Sequence, residues 1–403
     1  MDRRNLIAAG LLGGAVALAS GPVARSKPRE PAPPGWKAAW DAAAGGFRRD
    51  LAAEGVVGGA AAFCHDGALL GFEPYGFQEL ATRRPIDIET IYHWASITKT
   101  FTAIAFMQLR DRGLVSPDEP AVKYCPELAA VHDPFGRIDQ ITLAHLLSHS
   151  SGLRASTFPW GGDKPWEPHE PAQWSTIADM MPYTEIEFQP GSKYSYSNLG
   201  MSLIGRVIEA VSGDIYQQYV IKNVLMPLDM SRTYFDQTPY FLLPHRSHSY
   251  FVDAGAVTDN GAEVLTGATV ANGGLNAPIG DFVKYTSFLL GLGDAKRNAI
   301  VLSAKTLQEM CTPRLPAEKL GEDQVYIGLG FFVVDHKLAN GRMTRYAGHG
   351  GFQIAFHTDF QVNFDSGCAF MAGVNSVGRH VPSPWSKDYV AAAFTSLVPL
   401  FSR

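Results

Sequence analysis

β-forming runs stand at both ends of this 403-residue chain, and helix-forming sequence fills the middle. GVVGGAAAFCHDGALLGFEPYGF (55–77) reads as two strands split by the turn signal His65-Asp66-Gly67. VYIGLGFFVVDH (325–336), MTRYAGHGGFQIAFHTDF (343–360) and GCAFMAGVNS (367–376) read as strands joined by turns. Between them, ASITKTFTAIAFMQLRDRG (95–113) carries Phe101, Ile104, Ala105 and Leu109 at helical spacing. Its apolar residues lie on nearly all sides, which predicts a helix at the centre of the core. SNLGMSLIGRVIEAVSG (197–213) predicts a helix opening at Ser197 or Asn198 and stopping at Gly213. NAPIGDFVKYTSFLLG (276–291) predicts another, with Pro278 in its first turn, and WSKDYVAAAFTSLVPLF (385–401) a closing one. The simplest assembly joins the two ends into one sheet. The expected fold is therefore a two-lobed α/β (α+β type) architecture. An antiparallel sheet flanked by helices is built from 40–110 together with 272–403, and a mostly helical domain from 111–271. A site would lie between the lobes.

The N-terminus has its own signature. Arg3 and Arg4 precede an apolar run from Leu6 to Ala19, and Ala17-Leu18-Ala19 fits a small-residue cleavage site. The expectation is a signal peptide over 1–24, with a twin-arginine character, then a Pro-rich linker over 25–39. That implies a periplasmic or secreted protein with no stable membrane span after cleavage. A net charge of −5 lacks the basic footprint of a nucleic-acid binder. Cys64, Cys125, Cys311 and Cys368 form no C-x-x-C pair, so they read as buried small hydrophobes rather than a zinc framework.

Three short motifs carry chemistry. Ser96-Ile97-Thr98-Lys99 is the only S-x-x-K, and puts an amine one helical turn after a hydroxyl. Such an amine can take the hydroxyl proton and make a nucleophile. The bland alternative is a Ser96 helix cap and a solvated Lys99. Tyr196-Ser197-Asn198 is the only Y-x-N, just ahead of a helix. His349-Gly350-Gly351 lies on a C-terminal strand, where glycines mark close approach of a ligand to backbone.

In this order, these motifs resemble those of the serine hydrolase superfamily of penicillin-binding proteins and class C β-lactamases, including family VIII esterases. That family combines S-x-x-K, Y-x-N and K-T-G or a variant such as H-x-G. The resemblance runs from about Gly55 to Asn375, with further matches in RPIDIETIYHWASITKTFTA, ITLAHLLSHSSGL, LMPLDMSRTYF and GGLNAPIGDFVKY. It implies Ser96 as the acylated nucleophile, Lys99 as its proton partner, and Tyr196 as general base and general acid, with the division between Lys99 and Tyr196 left open. It further implies Asn198 as a partner of Lys99 or of a substrate amide. The backbone N–H groups of Ser96 and Phe352 would form the oxyanion hole. No cofactor and no metal are implied.

The third motif departs from the β-lactamase pattern. His349 and Gly350 stand where Lys and Thr would hold a carboxylate, and FQIAF replaces a Pro-Gly turn. Asp229 stands where glycine is common. The expected function is an exported serine hydrolase acting on an ester or amide in a small-molecule or peptide-like substrate. A β-lactamase, a D-amino-acid peptidase or carboxypeptidase, or an acyltransferase is the alternative, and a non-turnover penicillin-binding or sensor protein the more distant one. His145 and His149 are four apart but lack the glutamate of a zinc helix motif. GMSLIG misses G-x-S-x-G, and GLGDAK lacks a strand–turn–helix context. Trp160, Trp166 and Trp174 read either as local loop packing or as an apolar wall over the cleft. Arg154 is the alternative holder of a substrate carboxylate.

Overall fold

The computed structural model describes residues 32–157, 171–321, 323–338, 341–378 and 396–401. The signal-peptide reading, the first seven residues of the linker reading (25–31), Trp160, Trp166 and most of the closing helix lie outside these.

The chain begins with helix α1 (Trp36–Ala53), which opens inside the segment expected to be linker. Strands β1 (Gly58–His65) and β2 (Ala68–Glu79) follow as a hairpin. Asp66 and Gly67 turn it, both at positive φ (48° and 73°), as a primed turn between twisted strands requires. Next come β3 (Arg84–Pro85), β4 (Ile91–Ala95) and α2 (Thr98–Asp111). The middle carries α3 (Leu143–Leu147), α4 (Trp174–Ala178), α5 (Asn198–Ser212) and α6 (Tyr216–Val220). It also carries short strands the sequence reading did not foresee: β5 (Tyr234–Phe235), β6 (Tyr250–Asp253) and β7 (Ala256–Asp259). Then follow α7 (Val270–Gly273), β8 (Leu275–Pro278), α8 (Ile279–Leu289), α9 (Ala295–Val301) and α10 (Ala304–Met310). The last third is β9 (Leu315–Leu320), β10 (Asp323–Ile327), β11 (Phe332–Lys337), β12 (Met343–Gln353), β13 (Phe356–Asn363), β14 (Cys368–Val374) and β15 (Ser376–Val377).

The two ends do share one sheet. Its order is β3-β2-β1-β14-β13-β12-β11-β10-β9, and β1 pairs antiparallel with β14 in the register Ala61↔Ala372. One face packs on α2, whose residues from Thr98 to Leu109 are all buried, as its all-round apolar pattern predicts. The other face packs on α1 and the short helix at 396–401, where Trp36, Phe63 and Phe401 meet with ring centroids 4.8–5.4 Å apart. A second small sheet, β4-β8-β5, ties the start of α2 to the middle of the chain. Ser197 caps α5 by accepting from the Gly200 N–H, and Gly213 ends it at φ 76°. Pro278 is not inside the first turn of α8 but precedes it, as the extended last residue of β8. All four cysteines are buried thiols. Among the described residues no helix is long and apolar enough to cross a membrane.

Candidate active site

β4 enters the site through Ala95, held in the left-handed region at φ 45°. For a residue with a Cβ this costs on the order of 1 kcal/mol or more. Two hydrogen bonds hold the bend: the Ile97 N–H donates to the Trp94 carbonyl (3.0 Å), and the Thr98 hydroxyl to the Ala95 carbonyl (2.6 Å). The bend lifts Ser96 to the cavity wall and starts α2 two residues later. Neither bland reading of the motif survives. α2 has no side-chain cap, and Lys99 is fully buried. Lys99 Nζ donates to Ser96 Oγ (3.0 Å) and to the Asn272 carbonyl on α7 (2.7 Å). It lies 5.0 Å from the centroid of the Tyr196 ring.

Tyr196 arrives from the far side, on the extended segment before α5. Its hydroxyl lies beside Ser96 at the cavity wall. Burial raises the Tyr196 pKa, and the neighbouring Ser96 hydroxyl only partly opposes this. The resting group is thus a phenol. Asn198 lines the same cavity, and its Oδ1 is buried without a hydrogen-bond partner. It does not accept from Lys99. The Asn272 carbonyl accepts from Lys99 in its place.

His149 belongs here too, although the sequence reading weighed it only against a zinc helix motif. Its backbone is left-handed (φ 49°), it is fully buried, and its ring packs 4.4 Å from that of Tyr196. Nδ1 accepts from the Ser197 N–H (3.1 Å), which holds the start of α5. Burial first, then the neighbouring Lys99 and His349, push its pKa well below the ordinary value. His145 instead receives the Thr142 N–H on Nδ1 (3.2 Å) in a capping box at the start of α3. With both Nδ1 atoms bonded to backbone in different places, the two histidines do not converge.

β12 forms the opposite wall. His349 is buried and donates from Nδ1 to the Gly350 carbonyl (2.6 Å). A Cβ on Gly351 would stand 2.2 Å from the Trp94 carbonyl, so only glycine lets β12 pass this close to β4. Phe352 is half exposed and meets His357 edge-on at 5.5 Å. A second link joins these walls. His93 bonds Asn276 Oδ1 through Nδ1 (2.9 Å) and the Gln353 side chain through Nε2 (3.0 Å). Burial, and then Arg246, lower its pKa to about 4, so the ring is neutral and has one donor. The Asn276 amide nitrogen already donates to the Asp236 and Gly274 carbonyls, so its oxygen takes the His93 proton. Gln353 must then offer an amide N–H to Nε2.

Ser96, Tyr196, Asn198, His349, Gly350, Gly351 and Phe352 all line one cavity of about 420 Å³, with Lys99 behind Ser96. Trp174 does not line it: its indole donates to Glu127 (2.6 Å) and lies under Arg206, which is local packing. Arg154 is not part of the lining either, and donates to the Thr157 carbonyl (2.7 Å). Sequence reasoning missed Asn272, because it acts through a backbone carbonyl. It missed the His93–Gln353–Asn276 link because its members are up to 260 residues apart.

Comparison with known proteins identifies the family of this fold. The Beta-lactamase family model matches residues 43–393, and the chain belongs to that family. Penicillin-binding protein 4* of Bacillus subtilis (strain 168) is 26% identical over 196 residues, covering 48% of this chain and 41% of that one. The chain thus spans about two fifths of the length of the curated relatives it matches. A penicillin-binding protein homologue from Pyrococcus abyssi superposes with a TM-score of 0.73 at 26% identity, covering 88% of this chain and 76% of the other. A D-stereospecific amidohydrolase from Streptomyces sp. does so at 0.64 and 26%, covering 83% and 94%.

Proposed function

We propose that the protein is an exported serine hydrolase that cleaves an ester or amide through an acyl-enzyme on Ser96. The observation that carries this is the contact of a fully buried amine with a cavity-lining hydroxyl, Lys99 Nζ to Ser96 Oγ at 3.0 Å. Because Tyr196 rests as a phenol, it is poised to donate, and the acceptor role falls to Lys99. With Lys99 in its neutral amine form, Ser96 Oγ attacks the carbonyl carbon as its proton moves to the Lys99 lone pair. The Tyr196 hydroxyl then protonates the leaving alcohol or amine as the C–O or C–N bond breaks. The proton on Lys99 returns to the phenolate, and water repeats the sequence on the acyl-enzyme. The N–H groups of Ser96 and Phe352 would receive the oxyanion. The likeness to an amidohydrolase supports amide chemistry.

A fluorophosphonate should add once to the wild-type protein, on Ser96 by peptide mass spectrometry. Ser96→Ala should abolish both the adduct and p-nitrophenyl acetate hydrolysis, with unchanged circular dichroism. Turnover near wild type in Ser96→Ala would overturn the assignment. Export rests on Arg3, Arg4 and the apolar run after them. Replacing both arginines by lysine should stop secretion of folded protein if the twin-arginine reading is right, and a secretion assay against the wild-type leader decides it.

A further inference from the structure

Tyr196 has no helix or strand of its own to hold it. The stretch 194–197 has no regular backbone pattern, and α5 begins only at Asn198. The place of the phenol opposite Ser96 is therefore set by what holds its neighbours, and His149 holds both. The His149 carbonyl accepts from the Ser195 N–H (2.8 Å), and its Nδ1 from the Ser197 N–H (3.1 Å). These two bonds bracket Tyr196. The same imidazole backs the Tyr196 ring, with centroids 4.4 Å apart, and meets the Tyr194 ring edge-on at 6.1 Å. Other bonds from this stretch lie after Tyr196: Ser197 Oγ donates to the Arg154 carbonyl and the Asn198 N–H to the Ala155 carbonyl, both at 2.8 Å. They anchor the start of α5 but leave the Ser195 side to His149.

We propose that His149 is a positioning residue that sets the Tyr196 hydroxyl in line with the leaving group. His149 is not among the described residues lining the cavity, so it acts through Tyr196. The inference rests on the serine hydrolase reading, in which Tyr196 protonates that group. Because Nδ1 accepts, the ring is neutral with its proton on Nε2. A misplacement of about 1 Å can cost on the order of 10²-fold in rate. That cost follows the leaving group: a nitrophenolate departs with little help, whereas an alkoxide needs a proton as the bond breaks.

The test compares kcat/KM for p-nitrophenyl, phenyl and benzyl acetates. All give the same acetyl-enzyme and differ in how much the leaving group needs a proton. His149→Ala removes the ring and the Nδ1 acceptor. Its loss should be smallest for p-nitrophenyl acetate, larger for phenyl acetate and roughly 10²-fold for benzyl acetate. Tyr196→Phe should show the same ordering, and adding His149→Ala to it should cost little more. His149→Asn puts an oxygen where Nδ1 stands and tolerates the left-handed backbone, so it should restore most of the benzyl acetate rate. A role in folding alone would lower all three esters by one common factor, as the active fraction fell. That uniform loss overturns the proposal, as does no loss, or a His149→Asn protein no better than His149→Ala. The fluorophosphonate adduct on Ser96 counts the active fraction in each variant. Absence of that adduct and of ester hydrolysis in the wild type would instead overturn the hydrolase reading. Should His149→Ala not fold, His149→Gln replaces it, since its amide lies one bond too far out to reproduce the Nδ1 contact, and its leaving-group ordering against His149→Asn decides.

Discussion

Ser96, Lys99 and Tyr196 meet within one group, and their roles are inseparable in consequence. Lys99 bonds Ser96, and Tyr196 lies beside Ser96, while the amine lies 5.0 Å from the phenol ring. Lys99→Ala and Tyr196→Phe should each lower kcat by roughly 10²-fold or more, the usual scale of lost acid–base assistance. The double variant should lose much less than the product of the two, because once either is gone the relay is already broken. Multiplicative losses in single-turnover kinetics would mean two independent roles. These three residues were legible in the sequence because each reads through side-chain type at a fixed spacing. Asn272 was not, because any residue can offer a carbonyl. His149 was visible as a letter but not as a neighbour of Tyr196, since only the left-handed turn at His149 brings its ring there.

At the scale of the element, β12 decides what the site accepts. Its glycines have different causes: Gly351 clears the Trp94 carbonyl, whereas Gly350 has room for a Cβ at the cost of a few tenths of an ångström near Asp359. Wild-type kcat/KM for p-nitrophenyl acetate should exceed that for nitrocefin, whose carboxylate finds neither Lys nor Thr here. Changing His349-Gly350 to Lys-Thr should move that ratio toward nitrocefin. A ratio unmoved by the double change would show that a substrate carboxylate is held elsewhere. The long strands of the C-terminal third, β12 included, were readable from apolar runs and turn residues. β9 was not, because LPAEKL carries a proline and two charges in six residues. β4, β5 and β8 escaped because segments of two to five residues carry too little pattern, and their pairing spans nearly the whole middle of the chain.

The whole molecule is closed by contacts between distant segments, and one of them is sensitive to acid. β1 against β14 closes the large sheet, and the His93–Asn276 and His93–Gln353 bonds join β4 to β8 and to the end of β12. His93 lies three residues before Ser96, and Gln353 directly follows Phe352, so this clasp ties together the two cavity walls that carry Ser96 and Phe352. The His93 pKa is about 4 in the fold, against 6.5 for an ordinary histidine. The unfolded chain therefore binds a proton that the fold excludes between these values, and stability rises with pH through that window. Full stability is present above pH 6.5 and falls as the pH drops toward 4, by about 3 kcal/mol from this residue. His149, buried and also depressed, acts in the same direction. Urea melts should show the midpoint falling steadily from pH 7 to pH 4.5, before ordinary carboxylates titrate. His93→Gln lacks the titrating ring, and should start less stable at pH 7 but lose distinctly less on acidification. Parallel pH slopes for the two proteins would place the acid sensitivity outside the clasp. Ester hydrolysis by the folded protein should fall only near pH 4, where His93 itself takes a proton beside Arg246 and the two walls between which an acyl group must sit are pulled apart.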